Sequence, residues 1–348
     1  MPTIADVAKA CGLSPATVSL VINNSTMQVS SKTRAKVKRV VEEMQYRPSA
    51  HARRLSTRRA NTIGVVTKRQ AHLLADIYYG MLIDSIVDCA ADLDQTVAIY
   101  NGRIWENENR TQLKFADGRC DGVLLLYAED DPELIQALHE AHVPFVRVNS
   151  AYHTAGVNSV DIDDVDAGFK MTSYLIGLGH RRIACLRTAD HFSTERLLGY
   201  KKAMENTGLE FDERLVFTGA YGSEETGYVM AQNVIRDAAL GVTAIFAVTD
   251  ALACDAVQGA KDLGLRVPDD ISVVGINDTM DAARCNPPLT TLRQSVEDIG
   301  ATALRLLLQV IDTPEADARH IILSTEVVVR ASAARPHASG LSGTQPQI

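Results

Sequence analysis

From Thr62 to Ile276, short apolar runs alternate with longer amphipathic ones, and this alternation restricts the possible folds more than any other feature of the chain. The runs TIGVV, TVAIY, GVLLLY, PFVRVN, RIACLR, AIFAV and ISVVGI are almost continuous in apolar residues. That is the pattern of strands covered on both faces. Helical periodicity occupies residues 79–93, 132–141, 167–178, 194–206, 224–238 and 251–263. Strands alternating with helices imply right-handed βαβ units on a parallel sheet. The span is too long for one sheet of ordinary size. An α/β body of two doubly wound lobes is therefore expected over residues 61–335. Lobe 1 should take about 61–160 and 293–320, with a returning helix at 295–311, and lobe 2 about 161–290 and 321–335. Ligands in such sheets bind beyond the C-terminal ends of the strands, here between the lobes.

The N-terminal sixty residues are charged against the rest. They carry 11 of the chain's 35 Lys and Arg but only 3 of its 43 Asp and Glu, a formal +8 against −16 for the remainder. A small basic module on a large acidic body suggests that one end meets a polyanion.

That module also has a helix-turn-helix pattern. Ile4, Val7, Ala8 and Cys11 fall on one helical stripe, and Gly12 can end the helix with a positive φ. Ser14 stands where an N-cap belongs and Pro15 at the first helical position. A second helix over 16–23 turns Val18, Val21 and Ile22 inward. A third over 31–45 has Ala35, Val37, Val40, Val41 and Met44 on its inner face and Lys32, Arg34, Lys36, Lys38 and Arg39 among its basic residues. Two short helices joined by a turn containing Gly form a helix-turn-helix. The spacing alone would equally suit a plain three-helix bundle with a solvated basic face.

The stretch TIADVAKACGLSPATVSLVINN, followed by VSSKTRAKVKRVVEEMQYRPSAHARRLSTRRANTIGVV, closely resembles the headpiece of the LacI/GalR family of bacterial repressors. The resemblance runs to about Arg335. It implies an all-α DNA-binding headpiece at 1–47, a hinge helix and linker at 48–60, and a periplasmic-binding-protein-like body. It also implies a homodimer on a near-palindromic double-stranded operator, with the second helix in the major groove. Pro15 and Ala16 would lead that helix, with Thr17, Ser19 and Asn23 positioning phosphates. Leu20 stands where the family usually has a polar reader. A leucine cannot donate to guanine and suits a thymine methyl. In the hinge, Ser49 would cap a short helix at 50–57 carrying Arg53, Arg54 and Leu55. So short a helix is marginal alone. The resemblance makes Leu55 a minor-groove wedge flanked by phosphate-neutralising arginines.

For the body the resemblance implies a small-molecule effector, a sugar or sugar acid with a purine as the other option, bound by Tyr78, Tyr79, Asp163, Arg196, Tyr221, Asp250 and Asn277. Asp76-Ile77-Tyr78 replaces the family's usual Asn-Pro-aromatic signature, and Asn277 stands where many relatives have Asp. Lys68 and Arg69 favour an acidic ligand. Each position also has an ordinary reading: Arg196 in a surface ion pair, Tyr221 in lobe packing, and Asp161, Asp163, Asp164 and Asp166 as helix caps rather than a metal cluster.

Other chemistries lack their residues. GLGHRRI precedes a strand and is no dinucleotide fingerprint. HEAH, at 139–142, is one residue short of a zinc-protease motif, and no GxSxG or phosphate loop occurs. No cofactor, metal or enzymatic activity is expected. The six cysteines lie far apart with no CxxC pair, as buried reduced thiols would. Met1-Pro2-Thr3-Ile4 has neither the charged start nor the apolar core of a secretion signal, so a cytoplasmic protein with no membrane partner is expected. Such a signal would also be needed for the rival reading, a sugar-transport binding protein. Residues 336–348 are rich in Ser, Gly and Gln, have no leucine heptads and are expected to be a disordered tail.

Overall fold

The computed structural model describes residues 2–22, 29–46, 59–67, 76–101, 117–126, 132–150, 155–219 and 226–337. The chain divides into two compact units, Met1–Ala60 and Asn61–Ile348.

In the first unit, α1 (Ile4–Cys11) starts with a capping box between Thr3 and Asp6 and ends at Gly12, whose φ of 63° a side chain would disfavour. Ser14 Oγ accepts the Thr17 amide at 3.1 Å, capping α2 (Pro15–Ile22). The two helices meet at 104°, the angle of a helix-turn-helix. Ser30 caps α3 (Ser31–Glu43). Val7, Ala8, Cys11, Val18, Val21, Val37, Val40 and Tyr46 form the core that ties the three together. Ala35, expected inside, is exposed, so the inner face of α3 is narrower than its periodicity suggested.

The second unit holds two six-stranded sheets. Its elements in order are β1 (Thr62–Thr67), α4 (Ile77–Asp92), β2 (Thr96–Asn101), β3 (Gly122–Leu126), α5 (Pro132–Glu140), β4 (Phe145–Val148), β5 (Ser159–Ile162), α6 (Asp164–Leu178), β6 (Ile183–Thr188), α7 (His191–Asn206), β7 (Val216–Gly219), α8 (Gly227–Arg236), β8 (Ala244–Ala247), α9 (Asp250–Asp262), β9 (Ser272–Asn277), α10 (Met280–Arg284), β10 (Thr290–Gln294), α11 (Val296–Asp312), β11 (His320–Leu323) and β12 (Thr325–Val328). Lobe 1 has the order β11-β5-β4-β3-β1-β2 and lobe 2 the order β12-β10-β9-β8-β6-β7. β1, β3, β4, β8 and β9 are buried along almost their whole length, as sheets covered on both faces require.

The chain passes between lobes at Asp163, Ser295 and Ser324. These points correct the expected boundaries. Residues 161–162 and 321–323 belong to lobe 1 because β11 pairs in parallel with β5, Ile321 opposite Val160. Residues 293–294 belong to lobe 2, where β10 pairs with β9. The error at 321 has a simple cause. HIIL and TEVV read as one apolar run, yet the single residue Ser324 sends consecutive strands to different sheets. β12 also runs antiparallel to β10, with Arg293 opposite Glu326 and paired to it at 2.7 Å, so lobe 2 is not wholly parallel. Among the described residues no single helix is long and apolar enough to cross a membrane.

Candidate functional site

Two glycines set the most buried cation of lobe 2. A Cβ on Gly168 of α6 would overlap the Arg196 carbonyl, and one on Gly199 of α7 would overlap the Val165 carbonyl, so the two helices cross backbone to backbone. The crossing brings Arg196 over the first turn of α6. Its Nε donates to Asp164 Oδ1 at 2.8 Å and its Nη1 to the Val248 carbonyl, just past β8, at 2.5 Å. The guanidinium carbon lies 4.9 Å from the Phe192 ring centroid, within cation–π range. Arg196 is only 4% exposed, so this is no surface ion pair. Burial pushes the Asp164 carboxyl up, while the Arg196 charge and hydrogen bond pull it back.

A chain of side-chain hydrogen bonds joins the two lobes beside this pair. Asp76 caps α4 by accepting the Tyr78 and Tyr79 amides at 3.0 and 3.3 Å, which fixes Tyr78 at the head of the helix. Asn149 Nδ2, after β4, donates to Tyr78 Oη at 2.7 Å. Tyr78 Oη donates to Gln294 Oε1, at the end of β10, at 3.1 Å. Gln294 Nε2 donates to Asn277 Oδ1, at the end of β9, at 2.7 Å. The C-terminal ends of strands from both sheets therefore meet here, where open α/β sheets bind ligands. Asn149 (φ 54°) and Asn277 (φ 134°) hold left-handed backbone conformations that few L residues adopt and that cluster at functional sites. Burial pushes the Tyr78 phenol up; the Asn149 hydrogen bond and the Arg196 charge pull it down, and Asp164 and Asp161 push it further. Tyr78 thus feels the Arg196–Asp164 pair.

The loop after β9 is held at three successive residues. Besides the bond to Asn277, Asp278 pairs with Arg293 at 2.7 Å and Arg330 at 2.5 Å. The Thr279 amide and hydroxyl donate to Asp250 Oδ2 at 2.8 and 3.2 Å, and Thr291 Oγ1 donates to Asp250 Oδ1 at 2.5 Å. Asp250 is fully buried at the start of α9, and burial pushes its carboxyl up to about 6.

The residues singled out from the sequence thus separate. Tyr78, Arg196 and Asn277 come together, as described. Asp250 stands behind that wall with both oxygens bonded to protein. Asp163 is exposed and caps α6, accepting the Asp166 amide at 2.8 Å. Tyr79 is buried edge-on to Tyr78, their centroids 5.7 Å apart. Tyr221, Lys68 and Arg69 lie outside the described residues. Asn149, Gln294 and Phe192 were not singled out, and Asp164, read as a helix cap, instead pairs with Arg196. Asn149 and Gln294 had a usable signal, since each ends a strand at the edge where ligands bind. Among the described residues, no group of three or more His, Cys, Asp or Glu gathers as a metal would need.

In the helix-turn-helix, Pro15 and Ala16 are exposed at the start of α2, while Thr17, Ser19 and Leu20 are half-buried. Lys9, Lys32, Lys36 and Lys38 are exposed. Asn23, Ser49, Arg53, Arg54 and Leu55 lie outside the described residues.

Comparison with known proteins matches both units. Residues 3–49 match the bacterial regulatory proteins of the lacI family, and residues 172–333 match a periplasmic binding protein-like domain. The chain is 34% identical over 344 residues to the HTH-type transcriptional regulator DegA of Bacillus subtilis (strain 168), covering 95% of this chain and 97% of that protein. It belongs to the LacI family. The HTH-type transcriptional regulator CelR of Thermobifida fusca is 35% identical over 336 residues, with 95% and 98% covered. Among solved structures, a transcriptional regulator CelR–cellobiose complex matches at 33% identity and TM-score 0.70, covering 96% of this chain and 100% of that one. The Lac repressor dimer bound to operator and the anti-inducer ONPF matches at 26% identity and TM-score 0.81, covering 96% and 99%. This LacI-family chain is accordingly a DNA-binding transcriptional regulator with an effector-binding domain, and its curated relatives are regulators rather than enzymes.

Proposed function

We propose that the chain is a repressor that binds a near-palindromic operator as a homodimer, and that a neutral sugar held between the lobes sets its operator affinity. The observation that carries the effector reading is the chain Asn149–Tyr78–Gln294–Asn277, which spans the lobes beside Arg196. Its groups are neutral amides and a phenol, which both donate and accept, as sugar hydroxyls do. Arg196, a buried cation at this wall, is already paired with Asp164, which favours a neutral ligand over a sugar acid. The bonds of Arg196 run through Nε and Nη1, which leaves the Nη2 edge for a ligand oxygen. Tyr78, Arg196 and Asn277 are assigned to ligand contact, joined by Asn149 and Gln294. Asp250 and Asp163 are assigned to shaping the wall. Cellobiose in the CelR complex supports a sugar.

On the DNA side, α2 enters the major groove, with Pro15, Ala16 and Leu20 making apolar base contacts and Thr17, Ser19 and Asn23 positioning phosphates. The segment 48–60 orders on the operator, Leu55 wedging the minor groove while Arg53 and Arg54 neutralise phosphate. The operator-bound Lac repressor dimer supports this arrangement. Ligand changes the angle between lobes, hence the spacing of two hinges, hence DNA affinity.

Two experiments test the reading. Selection from a random duplex pool with the full chain should enrich a palindrome, and a pool with no enriched sequence would overturn the operator. Thermal-shift screening should find stabilisation by neutral sugars; stabilisation by sugar acids or nucleobases alone would overturn the effector class.

A further inference from the structure

Two of the six cysteines, separated by thirty-one positions in sequence, come together in lobe 2. Cys254 lies on α9, one turn after Asp250, and Cys285 directly follows α10. Cys254 Sγ lies 3.9 Å from the Asp281 carbonyl oxygen. The Cys285 amide donates to that same oxygen at 2.7 Å, so both residues hang from one carbonyl. Each thiol is the other's leading electrostatic neighbour. Both are partly exposed, whereas Cys11, Cys89, Cys120 and Cys185 are buried. The sequence-based expectation of six buried, separate thiols therefore fails for this pair, because α10 folds back onto α9.

We propose that Cys254 and Cys285 form a reversible dithiol site that a hydroperoxide oxidises to a disulfide, with Cys285 as the attacking thiolate.

The surroundings of the two sulfurs assign the roles: Cys285 faces the Lys261 ammonium and the Asn286 amide, and Cys254 faces the Asp281 carbonyl and carboxylate. Cys254, the Asn286 amide and the Lys261 ammonium hold the Cys285 thiol below the ordinary range, against the upward push of burial. Cys254 is pushed up by Cys285, by burial and by the Asp250 and Asp281 charges. The thiolate is the nucleophile, and an attacking thiol reacts best when its pKa lies near ambient pH. Cys285 sulfur attacks one peroxide oxygen. The S–O bond forms, the O–O bond breaks, and the leaving oxygen takes a proton to give water or an alcohol. Sulfur loses two electrons and the peroxide gains them, giving the sulfenic acid. Cys254 sulfur then attacks the sulfenic sulfur. The S–S bond forms, the S–O bond breaks, and the departing hydroxide leaves as water with the Cys254 proton. A thiol reductant reverses the sequence by exchange.

The crosslink would join the helix that begins at Asp250 to the helix that follows Thr279. Those two residues hold the loop carrying Asn277. The chemistry itself requires nothing from the reading of the cleft as a sugar site.

The test uses the full chain, hydrogen peroxide, a dicarbonyl trap for sulfenic acid, and peptide mass mapping. Wild type should lose two hydrogens in mass, with the Cys254 and Cys285 peptides joined, and dithiothreitol should separate them. Cys254→Ser should leave Cys285 as a trappable sulfenic acid. Cys285→Ser should leave Cys254 unmodified at the same dose. In wild type, iodoacetamide should label Cys285 at a lower pH than an ordinary thiol. Preferential oxidation of Cys254, or a wild type in which Cys285 is oxidised without joining Cys254, would overturn the proposal.

Discussion

The Tyr78 hydroxyl, on the first turn of α4 in lobe 1, donates to Gln294 Oε1 at the end of β10 in lobe 2, at 3.1 Å. Gln294 immediately precedes the crossover at Ser295, so this bond spans the lobes beside one of the three connections between them. Any change in the lobe angle must stretch or replace it. A ligand hydroxyl inserted here would compete for the same donors and acceptors, which gives ligand binding a direct hold on lobe geometry.

Tyr78→Phe keeps the ring and removes the bridge. Asn149 and Gln294 then each lose a partner, and the full chain should lose about 1 kcal/mol of stability in urea unfolding. The thermal shift produced by a bound sugar should shrink as well. An undiminished shift would remove Tyr78 from the site.

Two glycines on α6 should respond to alanine with opposite signs. Gly168→Ala drives a methyl into the Arg196 carbonyl and should cost about 3 kcal/mol. Gly177 is exposed and has nothing within reach of a Cβ, so Gly177→Ala should stabilise by about 0.5–1 kcal/mol through helix propensity. Urea midpoints of both variants check the close crossing that places Arg196.

Asp250 should leave a signature in the pH dependence of stability. Its carboxyl is raised by burial from 3.8 to about 6 in the folded chain. Between those values the native state binds the proton more tightly than the unfolded state does. Its contribution is therefore fully present below about pH 4 and lost as pH rises through about 6. Asp250→Asn should remove that decline. Asp161, also raised to about 6 by burial, titrates in the same window in both proteins, so the difference between the two curves is the measurement.

Leu55→Ala should weaken binding to the selected operator more than to random duplex, because only the operator complex contains the wedge. Equal losses on both, measured by fluorescence anisotropy at one fixed salt concentration, would remove the wedge.

Much of this architecture was legible in sequence because buried parallel strands are nearly continuous in Val, Ile and Leu. TIGVV, GVLLLY and ISVVGI needed no partner information to be read. Ser159–Ile162, with Asp161 at its centre, did not look like a strand, yet Asp161 is buried there against the Ser150 amide at 2.5 Å. The site was half legible. Arg196 and Asn277 came from matching a known family at their positions. Asn149 and Gln294 could be read as strand ends, but their pairing through Tyr78 shows only when two strand ends far apart in sequence face each other. Asp250 matched too, but its role depends on Thr279 and Thr291, which its local sequence cannot reveal.

The central claim is that occupancy between the lobes sets operator affinity. The direct measurement is the dissociation constant of the full chain for its selected operator, with and without a saturating sugar, in wild type and in Arg196→Lys. Coupling of ordinary size, about 1–3 kcal/mol, should change the wild-type constant about 5- to 150-fold. Arg196→Lys should bind the operator normally and show no change with sugar. A wild-type constant that stays fixed while the sugar is demonstrably bound would contradict the account.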